Sequence, residues 1–154
     1  KPYKDDSQVM TFEALAFYVK DTGRNSSQGD DIYALYQFDS TFNDGSGTVT
    51  GREQELVEGI EQLQILYGQR LSDGNMRFIP ADGSNLDFSE VEAVRIGLLV
   101  SSPEAVLNSS DNATYKLPGE DVKPAGTALA VATHPVDRRL RQVFNSTIVL
   151  RNRK

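Results

Sequence analysis

Apolar and polar residues alternate with a period of two around positions 60–67, a pattern typical of a half-buried β-strand. The apolar positions are Leu63, Ile65 and Tyr67, and the intervening positions are Gln62, Gln64 and Leu66. Apolar residues also recur there at the spacing of a helical stripe, at positions 56, 60, 63 and 67. A strand and a helix are therefore both compatible with the periodicity.

Gly59 and Ile65 decide between these two interpretations. A helix would point Ile65 at solvent and place Gly59 in its interior, at a cost of about 1 kcal/mol relative to Ala. A strand uses Ile65 and allows Gly59 to form a bulge. We therefore predict a strand over about 60–67, with Ile65 on the buried side and Gln64 facing outward.

Three further stretches have the composition or alternation of strands. Residues 91–100 show the clearest pattern, with one face formed by Val94, Ile96, Leu98 and Val100. Residues 9–38 are rich in β-branched and aromatic residues around a polar loop and predict a hairpin, although a helical first half is a competing interpretation. Its first strand is apolar on both faces, with Phe12, Ala16 and Tyr18 against Leu15, Phe17 and Val19.

The last predicted strand, about 140–150, has a basic side. Its apolar positions are Leu140, Phe144, Ile148 and Leu150, which alternate with Arg139, Arg141, Asn145, Thr147 and Arg151. We expect the arginines on the outer face, paired with Glu58, Glu61 or Glu92 of neighbouring strands. Binding of nucleic-acid phosphates is the alternative, but no aromatic residues interleave on that face for base stacking, so a nucleic-acid partner is not expected.

The remaining segments have turn and loop chemistry. The stretch 39–51 contains Asn-Asp-Gly-Ser-Gly, and Ser102-Pro103-Glu104 offers the cap of a short helical turn. Residues 109–136 are rich in Ser, Asn, Gly and Pro, and predict a long polar loop without regular structure. We expect this loop to be exposed and dispensable for folding.

Together these elements predict a mainly antiparallel β fold in one domain of residues 1–154. The order of the strands indicates a hairpin followed by a meander. Nothing in the 154 residues is long and amphipathic enough to cover the apolar faces of such a sheet. We therefore expect a helix outside this sequence, or a partner, to pack on it.

Composition excludes several classes of protein. Cysteine is absent, so there is no disulfide framework and no cysteine-based metal site or nucleophile. No stretch approaches the ~18 consecutive apolar residues of a membrane span, so we expect any membrane element to lie outside residues 1–154. The net charge of −6 is uneven, because six of the sixteen Lys and Arg residues follow Asp137.

No motif for catalysis, a cofactor or a metal stands out. His134 is the single histidine, and its Ala-Thr-His-Pro setting predicts a solvated loop residue. The aspartates of the stretches 39–51 and 73–87 suggest calcium, but aligning Gly45 with the glycine of an EF-hand loop places Phe42 at a ligand position. Turn chemistry explains these aspartates better. We expect no enzymatic activity, no catalytic residue, no cofactor and no metal.

Three segments, taken together, resemble the PilW family of type IV pilus minor pilins in order and spacing. They are residues 55–68 (ELVEGIEQLQILYG), residues 91–101 (VEAVRIGLLVS) and residues 137–153 (DRRLRQVFNSTIVLRNR). The last is the most specific, with an arginine-rich entry, Val-Phe, a Thr-containing strand and Leu-Arg-Asn-Arg.

This resemblance implies an α+β pilin fold, in which the second half of a long N-terminal helix packs on the sheet and the first half lies in the inner membrane. It also implies a structural subunit of a heteromeric tip complex that primes pilus assembly, with roles in twitching motility, adhesion or DNA uptake. The implied partners are other minor pilins, a large pilus-tip protein and the major pilin filament. The implied location is the inner membrane and periplasm before assembly, and afterwards the pilus tip.

Two other functions stay open. A J-class pseudopilin of type II secretion resembles this family in the strand containing Leu-Val-Glu-Gly, whereas the C-terminal segment favours PilW. A β-rich extracytoplasmic binding module is the more distant alternative.

Overall fold

The computed structural model describes residues 13–41 and 50–150, and these residues form ten strands in three sheets. The strands are β1 (Leu15–Asn25), β2 (Asp31–Asp39), β3 (Arg52–Glu58), β4 (Ile60–Arg70), β5 (Met76–Ile79), β6 (Val91–Ala105), β7 (Tyr115–Lys116), β8 (Asp121–Pro124), β9 (Ala132–His134) and β10 (Arg139–Val149). The helical content of these residues is a single 3₁₀ turn, Phe88–Glu90. The prediction of a mainly antiparallel β protein with almost no helix is confirmed.

The first sheet has the order β1-β2-β3 and contains the predicted hairpin. β1 and β2 pair antiparallel, with Tyr18 opposite Tyr36 and the two rings stacked at a centroid distance of 6.1 Å. Residues 9–12 of the predicted hairpin, including Phe12, lie outside the described residues. The described part of the hairpin begins with β1 at Leu15.

Gly59 is the point at which the chain passes from the first sheet to the second. Its φ of +83° lies in a region that L side chains rarely adopt, and a Cβ there would lie 2.5 Å from the carbonyl oxygen of Ser101. The N–H of Gly59 donates to Tyr33 O on β2, and its carbonyl accepts from Ser101 N on β6. The register of β4 against β6 shifts immediately afterwards, between Ile60 and Gln62, so the bulge predicted from the sequence forms here.

The central sheet has the order β10-β6-β4-β5 and includes the predicted meander, all of its pairs being antiparallel. β4 covers the strand predicted at 60–67 and extends to Arg70. β6 runs beyond residue 100 to Ala105, so the helical turn predicted at Ser102 is wrong. The pairing of β4 with β6 ends at Val100, so within the described residues Pro103 lies beyond the part of β6 that β4 pairs with, where its missing N–H is tolerated.

The third sheet, β7-β8-β9, lies in the segment between β6 and β10, residues 106–138, which we call the covering segment. β7 and β8 pair antiparallel, whereas β8 and β9 pair parallel. Leu117 and Val122 from this segment form a buried cluster with Leu99 of β6. The prediction of an exposed loop without regular structure over 109–136 is therefore wrong. Its polar composition concealed a few apolar residues at the positions that reach the sheet.

The covering segment packs on the less apolar face of the central sheet. On β6, the apolar face identified in the sequence, Val94, Ile96, Leu98 and Val100, is half-buried, whereas Ala93, Gly97 and Leu99 on the opposite face are buried. On β4, Ile65 and Gln64 are both half-buried, and Gln64 faces the covering segment. Its side-chain oxygen accepts from Gly119 N and Glu120 N at 3.0 and 2.8 Å, and its amide donates to Glu120 O. The predicted orientations of Ile65 and Gln64 are corrected accordingly.

The predicted faces of β10 are reversed, because its arginines lie on the covered side of the sheet. Arg139 and Arg141 are buried, at 1% and 5% exposure, whereas Leu140, Phe144 and Ile148 are about half exposed. Both arginines lie under the covering segment, where they form ion pairs with acidic side chains. Arg151, Arg153 and Lys154 lie outside the described residues.

Candidate interaction surface

One face of the central sheet, which no segment within residues 13–41 and 50–150 covers completely, is a continuous apolar surface. Residues directly opposite each other in an antiparallel pair point to the same face. The pairing therefore aligns three rows across β4, β6 and β10: Leu63, Leu98 and Phe144; Ile65, Ile96 and Ser146; Tyr67, Val94 and Ile148. We call these nine residues the open face. Eight of them are apolar or aromatic, and Phe144 and Ile148 remain 51% and 49% exposed.

The open face continues into a groove beside the first sheet. Phe17 and Val19 of β1 line this groove together with Leu63, Ile65 and Tyr67, and its volume is about 430 Å³. Phe17 is 49% exposed. A contiguous apolar surface of this kind typically marks a contact with another protein element or a membrane.

The opposite face of the sheet is fixed to the covering segment by a buried ionic cluster, which consists of Glu61, Asp111, Asp137, Arg139 and Arg141. Arg141 forms a bidentate pair with Glu61, with Nε to Oε2 at 2.6 Å and Nη2 to Oε1 at 3.0 Å. Its guanidinium also donates to Asp111 at 3.1 Å and to both carboxylate oxygens of Asp137 at 2.9 Å. One side chain thus joins β4, β10 and the covering segment.

Arg139 completes the cluster. Its Nε donates to Asp137 at 2.7 Å, and its Nη1 donates to the carbonyl oxygen of Asp31 at 3.0 Å. Nη2 lies 3.2 Å from Glu61 Oε1 but does not form a hydrogen bond there. Because Asp31 begins β2, Arg139 also connects the first sheet to the central one.

The cluster strongly perturbs its own ionisation. Burial alone would raise the pKa of Asp137, but hydrogen bonds from Arg141, from the Arg139 backbone N–H and from the Arg139 side chain outweigh it and lower that pKa to about 2. Burial and the hydrogen bond to Asp111 raise the pKa of Tyr115 to about 12. Burial opposes the charge of Arg141, yet Glu61 and Asp137 raise its pKa above the ordinary value. Because of these shifts, Asp137 and Arg141 are charged at neutral pH, whereas the Tyr115 hydroxyl keeps its proton.

His134 is buried beside this cluster, so the prediction of a solvated loop histidine is wrong. Its exposure is 1%, and its ring packs edge-on against Tyr115 at a centroid distance of 5.3 Å. Nδ1 lies 2.9 Å from Pro135 O, and Nε2 lies 2.9 Å from Ala113 O. These contacts hold two distant parts of the covering segment together, which is a structural role.

Sequence reasoning found some partners of the arginines and missed others. Glu61 pairs with Arg139 and Arg141 as predicted, whereas Glu58 pairs with Arg24 and Glu92 with Arg70. Asp111 and Asp137 were missed, because they lie outside the strands and no periodicity marks them.

The suggested calcium positions are occupied by turn interactions where the structure describes them. Asp73 accepts hydrogen bonds from Asn75, and Asp87 accepts them from Ser89, both within tight turns. Residues 42–49 of the other stretch lie outside the described residues. Within residues 13–41 and 50–150, no group of three or more His, Cys, Asp or Glu side chains is placed to hold a metal ion.

Among the described residues, one face of the central sheet packs against the chain itself and the other is apolar and largely uncovered, an arrangement typical of proteins that associate with another element. The family model of type IV pilus-assembly protein W, PilW, matches residues 16–152. The chain belongs to this family, as the three resembling segments indicated. No curated protein and no solved structure matches the chain.

Membership in the PilW family assigns the chain to the assembly of type IV pili and associates it with the cell envelope and the pilus. It also implies interaction with other pilus components. The described residues contain no helix long and apolar enough to span a membrane.

Proposed function

We propose that this chain is the globular domain, residues 1–154, of a minor pilin with a structural and non-enzymatic role. The open face is the observation that supports this proposal. Its apolar residues lie on three adjacent strands, which span roughly 10 Å at the usual strand spacing, and this width matches the ~10 Å diameter of an α-helix. We propose that an N-terminal helix of a longer form of the protein packs there, with its first half in the inner membrane.

The proposed assembly is a heteromeric tip complex that primes the pilus. Its other members are further minor pilins and a large tip protein, above a filament of major pilin. Subunits stacked in a filament offer different surfaces above and below, so these contacts are heterologous. The covering segment supplies one such surface, because its tip, residues 126–130, leaves Leu129 fully exposed, and the adjacent Val131 is 83% exposed.

Two Gln substitutions test the packing of the helix. In the 154-residue chain, Phe144→Gln should change the free energy of unfolding by less than about 1 kcal/mol, because the side chain is half exposed. In a longer form that contains the helix, the same change should cost about 2 kcal/mol or more, because Phe144 is then buried. Leu56→Gln on β3, with 40% exposure, is the matched control and should have the same small effect in both forms. An equal effect of Phe144→Gln in both forms would exclude the helix from this face.

The function itself is tested in cells that make pili. A strain lacking this protein should lose surface pili and the twitching motility that depends on them. Loss of protein secretion with normal pili would instead identify a pseudopilin of type II secretion. Normal pili and normal secretion would contradict both proposals.

A further inference from the structure

β10 is an outer strand of the central sheet, and among the described residues it pairs with β6 alone. The N–H of Leu150 donates to Glu92 O at the start of β6, at 2.7 Å. N–H groups alternate between the two sides of an antiparallel strand. This bond therefore fixes which residues of β10 point their N–H outward: Val143, Asn145, Thr147 and Val149.

Beyond the register irregularity between Arg139 and Arg141, the outer side of β10 lacks the features that normally protect an edge strand. Residues 142–150 contain no charged residue and no proline, and Thr147, Ile148 and Val149 are β-branched. Val149 is 67% exposed. Two of the other edges differ: β5 at the other side of the same sheet has four residues, and β3 contains Arg52 and three glutamates.

We propose that β10 accepts an extended strand of another subunit of the pilus assembly, which becomes the fifth strand of the central sheet. This inference rests on the proposed function. Main-chain hydrogen bonds to the four outward residues provide the affinity in this mode of recognition, and the side chains on each face provide the selectivity. The chemistry of β10 requires an uncharged partner segment, with apolar residues on the side of Phe144 and Ile148 and small or polar ones beside Asn145 and Thr147.

A second copy of this chain fits the edge less well. Antiparallel pairing centred on Ser146 would match Phe144 with Ile148 of the partner copy, a favourable apolar pair. The two-fold axis of that pairing would, however, point the two copies in opposite directions. Subunits that share one filament and one membrane point the same way, which favours a strand of a different subunit.

The test uses proline as a probe of the backbone. Thr147→Pro removes one outward N–H without removing a bond to β6, and proline is tolerated at such edge positions. Thr147→Val is the matched control, because it removes the same hydroxyl but keeps the N–H. In pilus-forming cells, Thr147→Pro should reduce co-purification of the other minor pilins by about tenfold, and Thr147→Val should leave it unchanged. Circular dichroism and protein level check that both variants fold.

A second variant keeps the proposal testable if the proline prevents folding. Val149→Lys places a charge on the edge and keeps every N–H, and its control is Val149→Thr. Normal co-purification with both Thr147→Pro and Val149→Lys would overturn the proposal, provided that the strain lacking the whole protein still loses its pili. Normal pili in that null strain would instead refute the proposed function.

Cysteine pairing separates the two possible occupants. The chain has no cysteine, so Ser146→Cys introduces a single thiol, and the test uses the 154-residue chain, in which the proposed helix does not cover the open face. Two copies paired about Ser146 would bring these thiols together and form a disulfide-linked dimer under oxidising conditions. That dimer would overturn the proposal in favour of self-association. A monomer is the expected result.

Discussion

Arg141 and Glu61 are 80 residues apart in sequence and form a bidentate ion pair beneath the covering segment. The pair joins the last strand of the central sheet to β4, and Asp111 and Asp137 complete the shell of the guanidinium. Both side chains are at least 96% buried, so neither charge has water as an alternative partner. The covering segment is therefore attached by charge as well as by apolar packing.

Replacing Arg141 should strongly destabilise the protein. Arg141→Met leaves three carboxylates without their main partner in a buried site, and we expect a loss of about 3–5 kcal/mol in the free energy of unfolding. Urea denaturation provides the measurement. Arg24→Met is the matched control, because that side chain pairs with Glu55 and Glu58 at 47% exposure and should cost less than about 1 kcal/mol. Similar losses for both variants would show that the cluster is not a special source of stability.

Stability should fall in acid because of Asp137. The folded-state pKa of about 2 lies below the ordinary value of 3.8. A carboxylate with a lowered pKa contributes stability that is complete above the unfolded-state value and is lost as pH falls through the folded-state value. We expect about 2 kcal/mol to disappear between pH 4 and pH 2, on the usual conversion of about 1.4 kcal/mol per pH unit. Asp137→Asn should be less stable at pH 7 and should show a weaker pH dependence over this interval, measured by urea denaturation at each pH.

Gly59 and Gly74 separate two effects of a side chain at positive φ. Their φ values are +83° and +84°, so both positions impose similar backbone strain on alanine, about 1 kcal/mol. A Cβ at Gly74 meets nothing within 4 Å, whereas a Cβ at Gly59 would lie 2.5 Å from Ser101 O. Gly74→Ala should therefore lower the free energy of unfolding by about 1 kcal/mol and Gly59→Ala by clearly more. Equal effects in thermal or urea denaturation would mean that the backbone at the junction between the sheets relaxes around the added Cβ without further loss of stability.

Local sequence patterns identified the strands but could not determine which face of the sheet is buried. Alternation in β6 and β10 is correct, and the choice between helix and strand at Gly59 is correct for the reason given. Alternation does not distinguish a face that packs on its own chain from a face that awaits another element. In this protein the more apolar face is the one that no described segment covers, and the sequence did not predict that the chain itself covers the opposite face.

The ionic cluster could not be predicted from the sequence for a related reason. Arg139 and Arg141 lie on one side of a predicted strand, and arginine on a strand ordinarily indicates a solvated face. Their burial depends on Asp111 and Asp137, which belong to a segment of loop-like composition. Only the path of that segment over the sheet, held by contacts such as Pro118 above Gly97, brings the charges together.

Deletions in the covering segment should distinguish its anchored part from its projecting tip. Removal of residues 110–130 would take Asp111 from the cluster and Leu117 and Val122 from the core, so we expect this variant not to fold, contrary to the expectation from sequence. Replacing residues 126–130 with a short Gly-Ser turn should retain the fold, because Leu129 is fully exposed at φ +58° and the anchoring contacts lie outside this stretch. Circular dichroism and urea denaturation measure both outcomes.

If the tip provides a docking surface for another minor pilin, the short deletion should reduce co-purification while the domain stays folded. A folded and fully assembled tip deletion would limit the contacts to the strands, and a folded variant lacking 110–130 would contradict the anchoring described for the ionic cluster.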